Sequence, residues 1–291
     1  MKLLILGANG MIGHRLLLEV RSQFNSGYGL IRRKKSDYIG CSLFDDDIID
    51  QTDVSDWRVL ESVLDVLRPD VIVNAIGVTI RREEMLNFKT ALEINSFLPQ
   101  RLSKWAQRNS SRLIHFSTDC VFGGEAGSYD EMSNPSAADN YGRSKFLGEV
   151  VGENSLTLRF SCIGRELETH SELLDWFLAQ RGKRIKGYSR AMYSGVTSMV
   201  IAKEVCRIIK DFPKLQGLYQ ISSEPISKYD LLCLAKNHFK LDVDIEKFDN
   251  YVSDKTLLCE KYKNATGYKQ ASWDEMMREL SSDHRIAYKN F

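Results

Sequence analysis

The sequence predicts an α/β fold: a doubly wound parallel sheet with helices on both faces, joined to a smaller, mostly C-terminal α/β part. Three observations lead to it. Several short apolar runs are continuous rather than alternating, as strands buried on both faces require. Helix-length amphipathic segments separate those runs, which is the rhythm of a parallel sheet with crossover helices. The first run ends at once in a glycine-rich turn that opens a helix.

Taken in order, the expected strands are Leu3 to Leu6, Leu30 to Ile31, Val71 to Val73, Leu113 to Phe116 and Leu156 to Leu158. The expected helices between them are Met11 to Phe24, Trp57 to Leu67, Ala91 to Arg108 and Gly142 to Val151. Beyond Gly164 the rhythm loosens. Arg181, Lys183, Arg184, Lys186 and Arg190 make this stretch basic, and Gly182, Gly187 and Gly195 punctuate it, so it reads as a loop-rich ligand surface. Ser198 to Ile209 has a helical pattern, and Leu218 to Ser222 is expected to return to the sheet as a further strand. The expected division is therefore residues 1–160, with 198–222 returning to them, against residues 161–197 and 223–291. With five prolines and no Gly/Ser tract, the two parts are expected to share an interface rather than swing on a tether.

Composition removes several function classes. A formal charge of +1 over 291 residues provides no general field for nucleic acid or an anionic membrane surface, so neither is an expected partner. The six cysteines form no C-x-x-C pair and read as small buried hydrophobes. His14, His115, His170, His238 and His284 are isolated from other ligand types, so no metal site is expected. The run Met1 to Leu6 is cut short by Gly7-Ala8-Asn9-Gly10 and so reads as a first strand rather than a signal segment. No run approaches the roughly 18 apolar residues that span a bilayer. A soluble, cytoplasmic protein is expected.

Gly7-Ala8-Asn9-Gly10-Met11-Ile12-Gly13 stands between strand and helix, where a dinucleotide-binding turn belongs. Gly7 permits the tight turn, Gly10 lets backbone approach a pyrophosphate, and Gly13 lets helix and strand pack closely, while the helix N-terminus offers unpaired N–H groups. The second strand ends in Arg32-Arg33-Lys34-Lys35 rather than in the carboxylate that would accept from free ribose hydroxyls. Cations there favour a ribose phosphate, so NADPH is the expected cofactor. Asp53 and Val54, after a further short strand expected between Ile31 and Asp53, Asn74-Ala75-Ile76-Gly77 at the end of the Val71 to Val73 strand, and Asn95 complete the expected cradle.

The chemistry is expected at Tyr141-Gly142-Arg143-Ser144-Lys145, preceded by Ser117-Thr118-Asp119-Cys120-Val121-Phe122-Gly123 at a strand end. Tyr141 and Lys145, four apart, share one helix face. A neighbouring ammonium and an oxidised nicotinamide both favour phenolate, so Tyr141 is expected to exchange a proton with a substrate oxygen. Lys145 lowers that pKa and reaches the nicotinamide ribose; the Thr118 hydroxyl orients the carbonyl.

These motifs resemble the extended short-chain dehydrogenase/reductase family, with its Rossmann-type cofactor unit. The nearer resemblance is to the dTDP-4-dehydrorhamnose reductase branch, through Ser117-Thr118-Asp119-x-Val121-Phe122-x-Gly124, Tyr141 to Lys145 followed by Gly148-Glu149, and Thr266-Gly267-Tyr268 followed by Ser272-Trp273. The likeness implies NADPH-dependent reduction of the 4-keto group of a nucleotide-linked 6-deoxyhexose for polysaccharide biosynthesis. Substrate contacts then fall to Thr118, Asp119, Cys120, Val121 and Tyr193, with Lys186 and Arg190 as candidates for the sugar diphosphate. A homodimer is left open. Two departures bear on the sugar: Cys120 replaces the branch's usual aromatic residue, and Ser189 to Thr197 is closer to reductases of UDP-linked 2-acetamido-2,6-dideoxy sugars. The family's dehydratases carry a Glu where this chain has Cys120, which favours net reduction over elimination. The remaining alternatives are a family epimerase and a non-catalytic regulatory subunit.

Overall fold

The computed structural model describes residues 1–38, 41–44, 46–79 and 87–283. In its first half β1 (Leu3–Leu6), α1 (Met11–Gln23), β2 (Gly27–Leu30), β3 (Ile48–Ile49), α2 (Trp57–Leu67), β4 (Val71–Asn74), α3 (Phe88–Leu92), α4 (Leu98–Arg108), β5 (Arg112–Ser117), α5 (Asn140–Leu147) and β6 (Ser155–Arg159) follow one another. The chain continues through β7 (Cys162–Ile163), α6 (Leu173–Leu178), β8 (Arg184–Tyr193), β9 (Val196–Thr197), α7 (Ser198–Asp211) and β10 (Gly217–Gln220). It ends in β11 (Ile226–Ser227), α8 (Lys228–Phe239), β12 (Asp244–Asp254), α9 (Glu260–Thr266) and α10 (Trp273–Ser281).

Seven strands make one parallel sheet in the order β10-β6-β5-β4-β1-β2-β3. The continuous apolar runs have a simple cause. Leu3 and Ile5 enter one core with Leu16, Leu17 and Val20 of α1, while Leu4 and Leu6 enter the other with Leu60, Leu64 and Leu102. Neither face of β1 meets water, so neither face carries polar residues. The strand order reverses between β1 and β4, which opens a crevice at their carboxyl ends. As expected, a late strand returns: β10 pairs with β6 from Gly217 opposite Leu156 to Gln220 opposite Arg159.

Two elements differ from expectation. The single helix expected over 91–108 is interrupted by a π-helical turn at Glu93–Phe97 before α4. Pro99 has no N–H to give to the Asn95 carbonyl four residues back, so the regular ladder fails there. That carbonyl is met instead by Gly148, where an added Cβ would lie 1.8 Å from the oxygen. The basic stretch expected to be loop contains the ten-residue strand β8, parallel to β12 and antiparallel to β11. Its cations are the exposed face of a strand. Gly187 lies on the opposite face, where a Cβ would come within 2.7 Å of Tyr229 on α8.

All six cysteines are free, and Cys41, Cys206 and Cys259 are buried. Among the described residues no helix is long and apolar enough to cross a membrane, and no His/Cys/Asp/Glu group is suited to a metal. His284 lies outside the described residues.

Candidate active site

The glycine turn is built from close backbone contact. Gly7 has φ +77°, a left-handed value, and a Cβ at Gly13 would fall 2.0 Å from the Gly7 carbonyl oxygen. Gly10 is the N-cap of α1 and no side chain caps it, so the first N–H groups of the helix are left to whatever enters the crevice. Gly7, Asn9, Gly10 and Met11 line a cavity of about 290 Å³ together with Leu30, Arg32, Asp53, Val54, Ala75, Ile76 and Gly77. These loops all follow the carboxyl ends of β1 to β4.

Other residues expected at the cofactor lie behind this wall. Asn74 bonds the His115 ring through Nδ2 (3.1 Å) and accepts from the Ile76 N–H through Oδ1 (3.2 Å), so it shapes the loop that lines the cavity. Asn95 does the same for Val78, accepting its N–H at 2.8 Å and donating to its carbonyl at 3.0 Å, and also donates to Ser144 Oγ on α5. Ile12, Gly13 and Arg33 are not among the lining residues.

Thr118 and Tyr141 are brought together by two turns docking on one another. Thr118 caps the short turn Asp119–Val121: its hydroxyl accepts from the Cys120 N–H (3.1 Å) and donates to Asp119 Oδ1 (3.0 Å). Asp139 caps α5 through the Gly142 N–H (2.8 Å), and Gly142 presses on the Cys120 carbonyl, where a Cβ would lie at 2.1 Å. The Tyr141 phenol thereby meets the Thr118 hydroxyl. Lys145 reaches inward and its Nζ donates to the Phe116 carbonyl at 2.6 Å. That ammonium lies 3.8 Å from where a Cβ of Gly77 would stand, which places it beside the cavity wall.

The electrostatics differ from those expected. Burial pushes the Tyr141 phenol above its usual range, with Cys120 adding to the effect and the Thr118 hydrogen bond opposing it. Burial brings Lys145 down to about 8, opposed by the Glu149 carboxylate. Lys145, expected to stabilise phenolate, is not among the groups that shift the phenol, and desolvation holds Tyr141 as a proton-bearing phenol. Cys120 is pushed up to about 12, chiefly by burial, and so is no thiolate nucleophile.

Tyr193 is buried, with Lys228 Nζ 3.5 Å above its ring centroid, and it adjoins the Asp119–Cys120 turn, whose groups help raise its phenol. Val121 is buried against Phe122, Tyr129 and Leu257. Lys186 and Arg190 project from the exposed face of β8, Lys186 lying 4.4 Å over the Phe248 ring, and neither lines the cavity.

Sequence reasoning missed the far wall of the cavity, formed by Glu166, Leu167, Glu168 and Thr169. Glu168 Oε1 accepts from Asn9 Nδ2 (2.7 Å) and from the Tyr38 hydroxyl, and Asn9 also donates to Tyr38 Oη (3.0 Å). A separation of 159 residues between Asn9 and Glu168 leaves no local signal. Also missed was the pairing of Glu149 with Arg159, although Glu149 belongs to the quoted motif.

A family model described as the RmlD substrate binding domain matches residues 1–178. The chain belongs to that family. Among curated relatives, the probable low-salt glycan biosynthesis reductase Agl14 of Haloferax volcanii is 29% identical over 55% of this chain and 52% of its own length, so the match spans about half of that relative. A dTDP-4-dehydrorhamnose reductase of Aggregatibacter actinomycetemcomitans is 27% identical over 79% of this chain and 76% of its own. Methionine adenosyltransferase 2 subunit beta of Danio rerio is 24% identical over 82% and 74%. Solved structures share the fold. A dTDP-4-dehydrorhamnose reductase of Clostridium acetobutylicum superposes with TM-score 0.80 at 18% identity, covering 96% of this chain and 98% of that one. The Bacillus anthracis dTDP-4-dehydrorhamnose reductase in complex with NADP superposes with TM-score 0.78 at 19% identity and the same coverage.

Proposed function

We propose that this RmlD-like protein reduces the 4-keto group of a nucleotide-linked 6-deoxyhexose with NADPH. The observation that supports this reading is that the Tyr141 phenol meets the Thr118 hydroxyl while Lys145 Nζ stands beside Gly77, which lines the glycine-turn cavity. The residues present fit a dinucleotide: α1 has an uncapped N-terminus, its turn has no Cβ in the way, and Arg32 stands at the second strand's end. NADPH, when bound, supplies the hydride. Gly7, Asn9, Gly10 and Met11 would hold the pyrophosphate, Arg32 with Arg33 the ribose phosphate, and Asp53 with Val54 the adenine side. Ala75 to Gly77 give passage over the sheet edge.

Within the chain, Thr118 orients the keto oxygen and Tyr141 donates a proton to it. Lys145, a buried cation, stabilises the phenolate left on Tyr141 until solvent returns the proton. The raised phenol described above suits a proton donor. Residues 1–160 with 198–222 serve the cofactor on this reading, and residues 161–197 and 223–291 serve the sugar nucleotide, with Asp119, Cys120, Val121 and Tyr193 near the sugar and Lys186 and Arg190 toward the diphosphate. Likeness to a methionine adenosyltransferase subunit favours a regulatory role as the second reading. Retention of Thr118, Tyr141 and Lys145 supports the enzyme.

The test is NADPH oxidation across dTDP- and UDP-linked 4-keto-6-deoxy sugars, including 2-acetamido forms, with Tyr141→Phe alongside. One sugar class should turn over, and the variant should bind NADPH yet lose at least about 100-fold in kcat. No turnover with any keto sugar, or full activity in the variant, overturns the assignment.

A further inference from the structure

One buried acid close to the reacting groups has no part in the mechanism above. Glu149 follows α5, four residues beyond Lys145. Its Oε1 accepts from Ser117 Oγ and from Arg159 Nε, both at 2.6 Å, and its Oε2 accepts from Arg159 Nη2 at 2.7 Å. The two charged side chains are 6% and 3% exposed.

The three partners occupy telling positions. Ser117 is the last residue of β5 and adjoins Thr118, while Arg159 is the last residue of β6, directly opposite Ser117 in the ladder. Phe116, one residue earlier, supplies the carbonyl that holds Lys145 Nζ. One carboxylate therefore ties the two strand ends to the segment that carries Tyr141 and Lys145. The segment cannot drift, because Gly148 lies against the Asn95 carbonyl so closely that only glycine fits.

We propose, resting on the reductase function above, that Glu149 is a positioning residue: it fixes Lys145 and Thr118 relative to one another, and its charge holds the Lys145 ammonium in its cationic form. The groups facing Lys145 are few. Glu149 lies on its own segment. His115, on β5, is fully buried and bonded to Asn74 through Nδ1, and burial with the Lys145 charge keeps it neutral. Arg159, on β6, has its charge answered by Glu149. The lowered pKa of Lys145, opposed by Glu149 alone, agrees with this placement.

Breaking a buried ion pair destabilises the fold whatever else the pair does, so stability alone does not separate a staple from a residue coupled to Lys145. The distinguishing measurement is therefore the Lys145 titration, read by NMR on protein labelled at lysine Cε, with the resonance assigned through Lys145→Arg. In Glu149→Gln the midpoint should fall by at least half a pH unit. Ser117→Ala keeps the charge and loses one tether, so its midpoint should stay at the wild-type value while kcat drops severalfold with little change in KM. Should Glu149→Gln fold poorly, Glu149→Asp provides the second variant, with a midpoint at the wild-type value and kcat lowered by the shorter reach. An unmoved midpoint in folded Glu149→Gln, or wild-type kcat in Ser117→Ala together with Glu149→Asp, overturns the proposal. Because the titration needs no turnover, a protein that reduces no keto sugar would sink the reductase function and leave the charge coupling separately measured.

Discussion

Replacing Gly13 by alanine tests the cofactor turn at its tightest point. The new methyl carbon would lie 2.0 Å from the Gly7 oxygen, 2.8 Å from the Gly7 carbonyl carbon and 3.0 Å from the Ala8 Cα. All three are backbone atoms, so no rotamer relieves the clash. Ordinary contact begins at about 3.5 Å, and α1 must therefore retreat from the turn by roughly 1.5 Å. Retreat is opposed from the other side, because Leu16, Leu17 and Val20 of α1 share a core with Ile201, Ala202 and Val205 of α7. Overpacking of this kind costs about 1–3 kcal/mol, or roughly 2–5 °C in Tm for a chain of this size. Misplacing the helix N-terminus by more than about 1 Å should also cost on the order of 100-fold in kcat/KM. Gly10→Ala is the internal control: its Cβ would stand 3.3 Å from the Gly7 oxygen, so the fold accepts it while the methyl intrudes on the pyrophosphate. NADPH fluorescence titration and thermal unfolding measure the two effects. Gly13→Ala should lose both stability and affinity, and Gly10→Ala affinity alone. A Gly13→Ala protein with wild-type Tm and wild-type NADPH affinity would refute the reasoning.

Two further outcomes follow from the site. Lys145→Met should abolish turnover yet raise stability at pH 7. The folded pKa of Lys145 is about 8 against 10.5 for a free lysine, so between those values the unfolded chain binds more protons and wild-type stability climbs with pH. Below pH 8 the penalty is felt in full. Urea unfolding at pH 7 and pH 10 should show that climb in the wild type and a smaller one in the variant; equal climbs would count against a buried Lys145. Arg32→Ala and Arg33→Ala should each lower the ratio of kcat/KM for NADPH over NADH, by about tenfold or more where a charge-assisted bond to the ribose phosphate is lost. A ratio left intact by both changes would remove these arginines from cofactor selection.

The parts of the site that sequence made legible are those whose requirements are local. Gly10 and Gly13 answer to contacts within seven residues, Gly7 to the left-handed φ of its own turn, and Tyr141 and Lys145 to the pitch of one helix. Parts set by distant packing were not legible. Glu168 meets Asn9 only because the loop after β7 folds across the crevice, and Arg159 finds Glu149 only because β5 and β6 end level with each other. The cations of β8 read as loop in the sequence because the partner strand β12 lies about 60 residues away. Charge balance failed for a related reason: a four-residue spacing says that Tyr141 and Lys145 are neighbours, but not that both are buried deeply enough for desolvation to dominate. The interruption at Glu93–Phe97 was foreshadowed by Pro99, although a proline near a helix start is usually harmless.

The late return of β10 has a consequence for biogenesis. When β6 leaves the ribosome its outer edge has no neighbour, and α1, already seated on β1, lacks its packing against α7 until that helix emerges, some 40 residues after β6 ends. The nascent chain therefore carries an open edge and a partly covered helix for several seconds at ordinary rates of translation, about 5–20 residues per second. Any expression strategy that truncates the chain before β10 would make that transient exposure permanent, and such fragments should accumulate as aggregates rather than as folded cofactor-binding units.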